Sequence, residues 1–339
     1  MNAPTKFTTL QEVAQLAGVS VHTVERVIAG SPLVGEAIRG KVKQVIAETG
    51  FAPEHKVRNV SLKHNALIAL IHGADCAEAI AEAEAGVLAA LSGSGLALCR
   101  LPLDSNARSA VRSFGDLLEV HRPLCVLLMP SLASDDRLAG LAWEYGSRCV
   151  RLGAKAPDDG QAGWSFCLER EAAAQAVHWL AELGHSRIAF IGGSDDDPAS
   201  RERQLGYLDA MADRELDRGA SLIVQGDGSF ASSHDAALLL LEVSPAPTAI
   251  LAASDEMAAG ALRAAAQLGI VIPDALSIIG FGDGPLALQM TPALSSVRVP
   301  MFEMARGAAM WMLKGDGGSG SPLMFHGLII ERQTTGPPS

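Results

Sequence analysis

The stretch 9–30, TLQEVAQLAGVSVHTVERVIAG, decides the fold of the amino-terminal part of the chain. Its first apolar residues recur at the spacing of one helical face and predict a short helix that ends at Ala17. Gly18 suits the positive φ that ends a helix, and Ser20 suits the N-cap of a second helix starting at Val21. Two short helices joined by a tight glycine-containing turn form a helix-turn-helix, whose second helix lies in the major groove of DNA. A small three-helix bundle without this role is the alternative that periodicity leaves open.

Apolar residues at helical spacing predict a third helix over 36–49, which ends before Gly50. The head formed by these three helices is predicted to occupy residues 1–52. The buried face of the third helix is expected to contain Ile38, Val42, Val45 and Ile46.

The net charge of −11 argues against nucleic-acid binding only when the charge is summed over the whole chain. Residues 1–63 contain eight lysines and arginines against five acids, an excess of three positive charges. The remaining 19 basic and 33 acidic residues leave an excess of fourteen negative charges in the rest of the chain. The sequence therefore predicts a small basic head, suited to phosphates, on a large acidic body.

The 339 residues are 48% hydrophobic, which indicates a folded protein of about two or three domains. No apolar run is long enough for a membrane span, and the first residues lack the apolar core of a signal peptide, so we expect a cytoplasmic protein without a membrane partner. Five widely spaced cysteines are typical of reduced core thiols, and we expect neither a metal nor a cofactor. Phosphate-loop, dinucleotide-binding, hydrolase and zinc-protease motifs are missing, which argues against an enzyme.

The opening stretch resembles the headpiece of the LacI/GalR family of bacterial repressors, whose pattern reads T-L-x-D-V-A-x-x-A-G-V-S-x-x-T-V-S-R-V. At the implied base contacts, arginine bonds guanine, histidine donates or accepts, and valine packs on a thymine methyl group. Glu25 stands where the family has serine, and its carboxylate either contacts a cytosine amino group, pairs with Arg26 or is merely solvated. The DNA contacts that the resemblance implies in this helix and its cap are Ser20, Val21, His22, Thr23 and Arg26.

Residues 53–65 are polar and basic and are predicted to be a hinge between the head and the body. In the LacI/GalR family this stretch folds into a hinge helix on DNA and wedges an apolar residue into the minor groove. Counting from Phe51 puts the wedge at Val60, and Arg58 supplies charge for phosphates. Valine is a smaller wedge than the leucine of the family, which leaves the strength of the DNA kink open.

From Leu67 onward, apolar runs alternate with amphipathic stretches, an order that predicts parallel sheets with helices on both faces. Two such sets divide near Gly160, so we expect two doubly wound lobes that bind a ligand at the carboxyl ends of their strands. The predicted strands are 67–71, 96–101, 125–129, 149–152, 187–192, 221–225, 248–253 and 276–281.

The motifs ELGHSRIAFIGG, SRERQLGYLDAM, ASDEMAAGAL and IPDALSIIGFGD continue the resemblance to the LacI/GalR family across the body. They imply an α/β core similar to periplasmic binding proteins, in which the chain passes three times between two discontinuous lobes. The implied lobes are 66–165 with 296–325, and 166–295 with 326–339.

Positions in these motifs also imply an effector cleft. Family members direct guanidinium groups at a sugar from the positions of Arg201 and Arg203, unless one of these pairs with Glu202 or with the acidic loop 195–197. The ligand contacts that the resemblance implies are His72, Asp75, Arg201, Arg203, Ser254 and Asp283.

Gly282 marks a departure, because sugar-responsive members of the family have an aspartate that grips the ligand at this position. Asp283 is the candidate substitute, although its side chain is expected to point elsewhere. The F-G-D sequence resembles the subgroup of the family associated with gluconate. Because an acid is lost beside two arginines, a sugar acid joins a neutral sugar as a hypothesis for the effector.

The sequence thus predicts an effector-controlled, DNA-binding transcriptional regulator, in particular a repressor of carbohydrate or sugar-acid catabolism. It is expected to act as a homodimer on a near-palindromic operator. A solute-binding protein for sugar uptake or sensing, without DNA binding, is the alternative, and an enzyme is the third possibility.

Overall fold

The computed structural model describes residues 10–28, 34–49, 66–73, 75–104, 107–153, 163–194, 197–314 and 322–339. The chain divides into two compact units, Met1–Asn65 and Ala66–Ser339. We call the first unit the head and the second unit the body.

The head consists of three helices around a small apolar core. Val13, Val24 and Val42 are fully buried in this core. The predicted third helix is confirmed, but the prediction that it buries Ile38 is wrong, because this side chain is 42% exposed. Val34, which precedes the third helix, is buried in the core instead. The helices are α1 Leu10–Ala17, α2 Val21–Ile28 and α3 Glu36–Thr49.

The body alternates strands and helices along the chain. Its described strands are β1 Leu67–His72, β2 Ala97–Pro102, β3 Cys125–Leu128, β4 Arg148–Gly153, β5 Gly163–Cys167, β6 Ile188–Gly192, β7 Ile223–Gln225, β8 Ala249–Ala252, β9 Ser277–Gly282, β10 Ser295–Arg298, β11 Leu323–Phe325 and β12 Leu328–Ile330. Its described helices are α4 Ala77–Leu91, α5 Ala107–His121, α6 Pro130–Ala133, α7 Asp136–Glu144, α8 Glu169–Glu182, α9 Pro198–Asp213, α10 Phe230–Leu241, α11 Asp255–Gln267, α12 Pro285–Gln289 and α13 Met301–Lys314, with a 3₁₀ turn at Ala220–Leu222.

The strands form two six-stranded sheets, in the orders β11-β5-β4-β3-β1-β2 and β12-β10-β9-β8-β6-β7. Neighbouring strands in these orders pair in parallel, except β10 and β12, which are antiparallel. Helices α4 and α13 cover one face of the first sheet, and α5 and α7 cover the other face. Burial on both faces explains why the central strands are continuous apolar runs. The predicted fold class, a helix-turn-helix head and a body of two doubly wound lobes, is confirmed.

The chain passes between the two sheets after Cys167, after Arg298 and after Phe325. The predicted lobe boundaries at 165 and 296 are therefore displaced. Strand β5 continues the first sheet to Cys167, and β10 pairs with β9 in the second sheet. The first lobe thus resumes only after Arg298.

Two cysteine thiols, Cys125 and Cys167, are fully buried in the first sheet, and burial raises the pKa of each to about 12. Such thiols are protonated and unreactive at neutral pH. Within the described ranges, no helix has the length and apolar character needed to cross a bilayer. The same residues contain no cluster of three side chains that would hold a metal ion.

Residues 331–336 run along the second sheet and form what we call the carboxyl-terminal strap. His185, only 2% exposed, fixes the end of this strap. Its Nε2 lies 2.9 Å from the carbonyl oxygen of Gly336, and its Nδ1 lies 3.0 Å from the hydroxyl of Thr248. A neutral ring with its proton on Nε2 satisfies both contacts, since Nε2–H donates to the carbonyl and Nδ1 accepts from the hydroxyl.

The stability of the body is expected to fall when the pH drops below about 6.5. Burial lowers the pKa of His185 from its ordinary value of 6.5, so the unfolded chain takes up this proton first. Stability linked to His185 is complete above pH 6.5 and is lost as the pH falls toward the folded-state pKa. Urea denaturation between pH 7.5 and pH 5 would measure the loss. His185→Gln should show a smaller dependence over that range, and equal slopes for both proteins would contradict the assignment.

Candidate functional site

The turn between α1 and α2 has the geometry of a helix-turn-helix. Gly18 ends α1 with a φ of 62°, and the N–H of Val19 donates to the carbonyl of Ala14 at 3.0 Å. Ser20 caps α2, because its Oγ accepts the N–H of Thr23 at 3.1 Å. Gly18 as the helix stop and Ser20 as the cap are therefore confirmed.

Helix α2 is held to the head by Val24 and Val27, which are buried in its core. Val21 packs partly against the same core. The hydroxyl oxygens of Ser20 and Thr23 lie 2.8 Å apart. The structure brings five predicted DNA contacts together on this helix and its cap: Ser20, Val21, His22, Thr23 and Arg26. The other two, Arg58 and Val60, lie outside the described residues.

In the first sheet the strand order reverses between β1 and β3, and this is where doubly wound sheets bind ligands. His72 ends β1, and its Nε2 is buried without a hydrogen-bond partner among the described residues. The carboxylate of Asp75 accepts the backbone N–H of Ser131 at 3.0 Å and its hydroxyl at 2.6 Å. His72 therefore has a buried ring nitrogen without a partner at this point, whereas Asp75 joins the loop after β1 to the start of α6.

In the second sheet the strand order reverses between β6 and β8, and Arg203 lies at this point. Its Nε donates to Glu169 at 2.8 Å, and its Nη1 donates to the carbonyl of Ala253 at 2.6 Å. The guanidinium lies over the ring of Phe281, with 4.1 Å between its central carbon and the ring centroid. Three neighbours therefore fix this arginine.

Arg201 and Ser254 lie on the helices that follow β6 and β8. Arg201 is exposed in the first turn of α9. Ser254 is the N-cap of α11, and its Oγ accepts the N–H of Met257 at 3.1 Å. The capping role considered for a serine before a helix is thus confirmed.

Gly282 ends β9 with a φ of 126°, a backbone conformation that L side chains rarely adopt. A Cβ at this position would lie 3.4 Å from Oδ2 of Asp255. Asp255 is itself buried, where its carboxylate accepts the hydroxyl of Ser296 at 2.5 Å and the N–H of Gly284 at 3.0 Å. Burial raises the pKa of Asp255. An aspartate at 282 would therefore strain the backbone and bring a second carboxylate toward Asp255.

The expectation that Asp283 replaces the missing acid is corrected by the structure. Its side chain is only 1% exposed. The carboxylate accepts Nε of Arg298 at 2.8 Å, and Nη2 of Arg332 lies 2.5 Å from its other oxygen. Asp283 thus joins β9 to β10 and to the carboxyl-terminal strap, and we leave it out of the ligand contacts proposed below.

Sequence reasoning missed Glu169, the partner of Arg203. The sequence suggests Glu202 and the acidic loop 195–197 as partners, because they are close to the arginine along the chain. Glu169 lies 34 positions away and is only 5% exposed at the start of α8. Its one signal in the sequence is its position directly after an apolar segment at the end of β5.

Comparisons with known proteins agree with this geometry. Residues 9–54 match the family model of bacterial regulatory proteins of the lacI family, and residues 177–335 match the periplasmic binding protein-like domain. The HTH-type transcriptional regulator AscG of Escherichia coli K12 is 32% identical over 98% of this chain and 100% of its own length. The HTH-type transcriptional regulator CelR of Thermobifida fusca is 33% identical over 88% of each chain.

A solved complex of the transcriptional regulator CelR with cellobiose has the same architecture. It superposes with a TM-score of 0.72 at 29% identity and covers 96% of this chain and 99% of that chain. These relatives are transcriptional regulators rather than enzymes. The resemblance to the gluconate-associated subgroup stays a prediction. The capped second helix, the two doubly wound lobes and the similarity to AscG together show that the chain belongs to the LacI family of bacterial regulatory proteins.

Proposed function

We propose that this regulator binds near-palindromic operator DNA in the cytoplasm as a homodimer, and that a sugar in the cleft between its lobes controls binding. One observation carries the proposal: a single chain combines a capped second helix after the Gly18 turn with a fixed arginine at the strand reversal of the second lobe. Two copies of α2 related by a twofold axis match the two halves of a palindromic site.

For DNA, we propose that the α2 contacts read bases and position the helix. On this proposal Val21, His22 and Arg26 would contact base edges, and the cap formed by Ser20 and Thr23 would position the start of the helix against the phosphate backbone. Arg58 and Val60 of the hinge would add a phosphate contact and a minor-groove wedge.

For the effector, we propose contacts from both lobes: His72 from the first, and Arg201, Arg203 and Ser254 from the second. Asp75 positions the loop that follows His72, through its bonds to Ser131. A ligand that contacts both lobes binds one arrangement of the lobes better than others, and it shifts the population toward that arrangement. The sugar site and the DNA site are coupled if the DNA-bound dimer also favours one of these arrangements, and this is the coupling we propose.

Arg26→Ala is expected to weaken operator binding by about tenfold or more and to relax the preference at one base pair, because a bidentate arginine–guanine contact discriminates by roughly 1–3 kcal/mol. The operator would be selected from a random library with twofold symmetry and then titrated by fluorescence anisotropy at 150 mM salt.

Arg218→Ala is the matched control, since it removes the same charge from an exposed position of the body. It should leave the preferred sequence and the affinity unchanged. If the full-length protein selects no preferred sequence, with or without cellobiose, ribose or glucose, the proposed DNA function is refuted.

A further inference from the structure

The positive charge of Arg203 is paired with a carboxylate inside the protein. Its Nε bonds to the carboxylate of Glu169 at 2.8 Å, and its side chain is 13% exposed. Glu169 is the first residue of α8, where the helix dipole favours a negative charge. The pair is therefore neutral as a unit, and the side chain of Arg203 keeps a small part of its surface exposed.

The arginine is also fixed in orientation. Guanidinium has its N–H donors in one rigid plane, and two of its nitrogens are bonded to Glu169 and to the carbonyl of Ala253. Stacking on Phe281 sets the tilt of this plane. The donors on the open side are thus preorganised for oxygen acceptors such as sugar hydroxyls, without a net charge behind them.

Apart from the exposed Arg201 in the first turn of α9, a helix capped by Asp197, the other charges along this edge of the second sheet give no positive excess. Arg298 and Arg332 are both paired with Asp283. Asp227, which follows β7, has its pKa lowered to about 2 by hydrogen bonds from Ser229 and Ser232, so it carries a full negative charge.

The facing edge of the first sheet is acidic. Asp75 follows β1, Asp104 follows β2, and Glu78 and Glu82 lie in the first turns of α4. A Cβ built on Gly284 would lie 3.7 Å from Cγ of Glu78, so α4 meets the loop after β9 directly. An anionic ligand in this cleft would lose hydration, face these carboxylates and compete with Glu169 for Arg203.

We infer that Glu169 is a positioning and specificity-determining residue, which fixes Arg203 and cancels its charge so that the cleft selects an uncharged polyhydroxyl ligand over the corresponding sugar acid. The inference rests on the proposed effector cleft and names the ligand class of that site. It favours the neutral sugar of the two effector hypotheses that the sequence left open.

The test uses the full-length protein and pairs of probes in which the acid keeps the sugar ring and carries a carboxylate in place of the terminal hydroxymethyl group: cellobiose and cellobiouronate, galactose and galacturonate, glucose and glucuronate. Isothermal titration calorimetry at fixed ionic strength gives the affinity ratio of the neutral to the acidic member. The wild type should bind at least one neutral sugar at least tenfold more tightly than its acid. Glu169→Gln, which releases the charge of Arg203, should lower this ratio at least tenfold.

Asp209→Asn is the matched control. Asp209 pairs with Arg170 between the same two helices, α8 and α9, at 2.5 Å, but both side chains are about half exposed. This substitution changes the net charge by the same amount as Glu169→Gln and removes an arginine partner outside the cleft. It should leave the neutral-to-acid ratio as in the wild type, so a change in both variants alike would overturn a specific role for Glu169.

The wild-type ratio is decisive even if Glu169→Gln folds poorly. Tighter binding of an acid than of its neutral partner by the wild type would overturn the inference and leave the proposed effector cleft intact. An unchanged ratio in folded Glu169→Gln would also overturn it. Failure of the wild type to bind any of the six probes at millimolar concentration would instead refute the sugar cleft, and the inference with it.

Discussion

Arg203→Ala is expected to abolish the response to the effector and to lower the free energy of unfolding by about 3–5 kcal/mol. The substitution leaves the carboxylate of Glu169, whose side chain is only 6% exposed, without its counter-charge. It also uncovers the face of Phe281 and leaves the carbonyl of Ala253 without this donor. Urea denaturation measures the stability loss, and calorimetry with the sugar that the wild type binds measures the loss of affinity.

A double variant separates the two effects. Arg203→Met combined with Glu169→Leu removes both charges and restores apolar packing, and buried ion pairs replaced in this way often cost little stability. The double variant should therefore regain most of the stability but none of the ligand affinity. Wild-type stability in Arg203→Ala alone would show that Glu169 is not buried as described.

Gly206→Ala is expected to lower the free energy of unfolding by about 3 kcal/mol, at the upper end of the usual cost of overpacking. Gly206 is buried in α9, and a Cβ there would overlap the carbonyl oxygen of Arg170 in α8. Because the obstacle is backbone, the two helices must separate. Arg203 lies three residues before Gly206 and Glu169 lies next to Arg170, so the separation should pull the pair apart and weaken sugar binding as well.

Gly140→Ala is the control for a glycine in a helix without such a contact. Gly140 lies in α7, and a Cβ there would have open space around it. This substitution should stabilise the protein by roughly 0.4–1 kcal/mol, because alanine loses less backbone entropy on folding. Urea denaturation of both variants under the same conditions compares their free energies of unfolding. A similar effect of the two substitutions would contradict the close approach of α8 and α9.

The head was predictable from its sequence because its signals are local. The stop at Gly18 and the cap at Ser20 lie beside the helices that they limit, and the periodicity of α3 ends at Thr49 as predicted. The exposure of Ile38 was not predictable in this way, since it depends on how far the other two helices extend over the start of α3.

In the body, long apolar runs predicted eight strands, and four shorter or more polar strands were missed: β5, β10, β11 and β12. Strand β10, of sequence SSVR, contains Ser295 and Ser296, both fully buried. Their burial is possible only because distant groups bond to them, as Asp255 does to Ser296 across 41 positions. Local sequence patterns do not indicate such distant partners. Because β10 was missed, the predicted lobe boundary at 296 was displaced.

The candidate site also combines features that local motifs predicted with features that depend on distant contacts. Motif positions predicted Arg203 as a ligand contact and Ser254 at the start of a helix. The structure places Arg203 at the strand reversal of the second sheet and Ser254 at the N-cap of α11. The pairing of Arg203 with Glu169 depends on tertiary packing. The same is true of the contacts of Asp283 with Arg298 and Arg332. The sequence therefore indicated where these side chains lie along the fold better than which partners their charges have.

The late crossings of the chain have a consequence for its biosynthesis. Strands β11 and β12, which complete one edge of each sheet, come from residues 323–330, whereas the helices of the head end at Thr49. Because domains generally fold in the order in which they leave the ribosome, the head has all its contacts long before either lobe can close its sheet. A chain interrupted before residue 323 would carry a complete DNA-reading helix without a complete sensor. Newly made protein therefore acquires the means to contact DNA before the means to be released or retained by its effector.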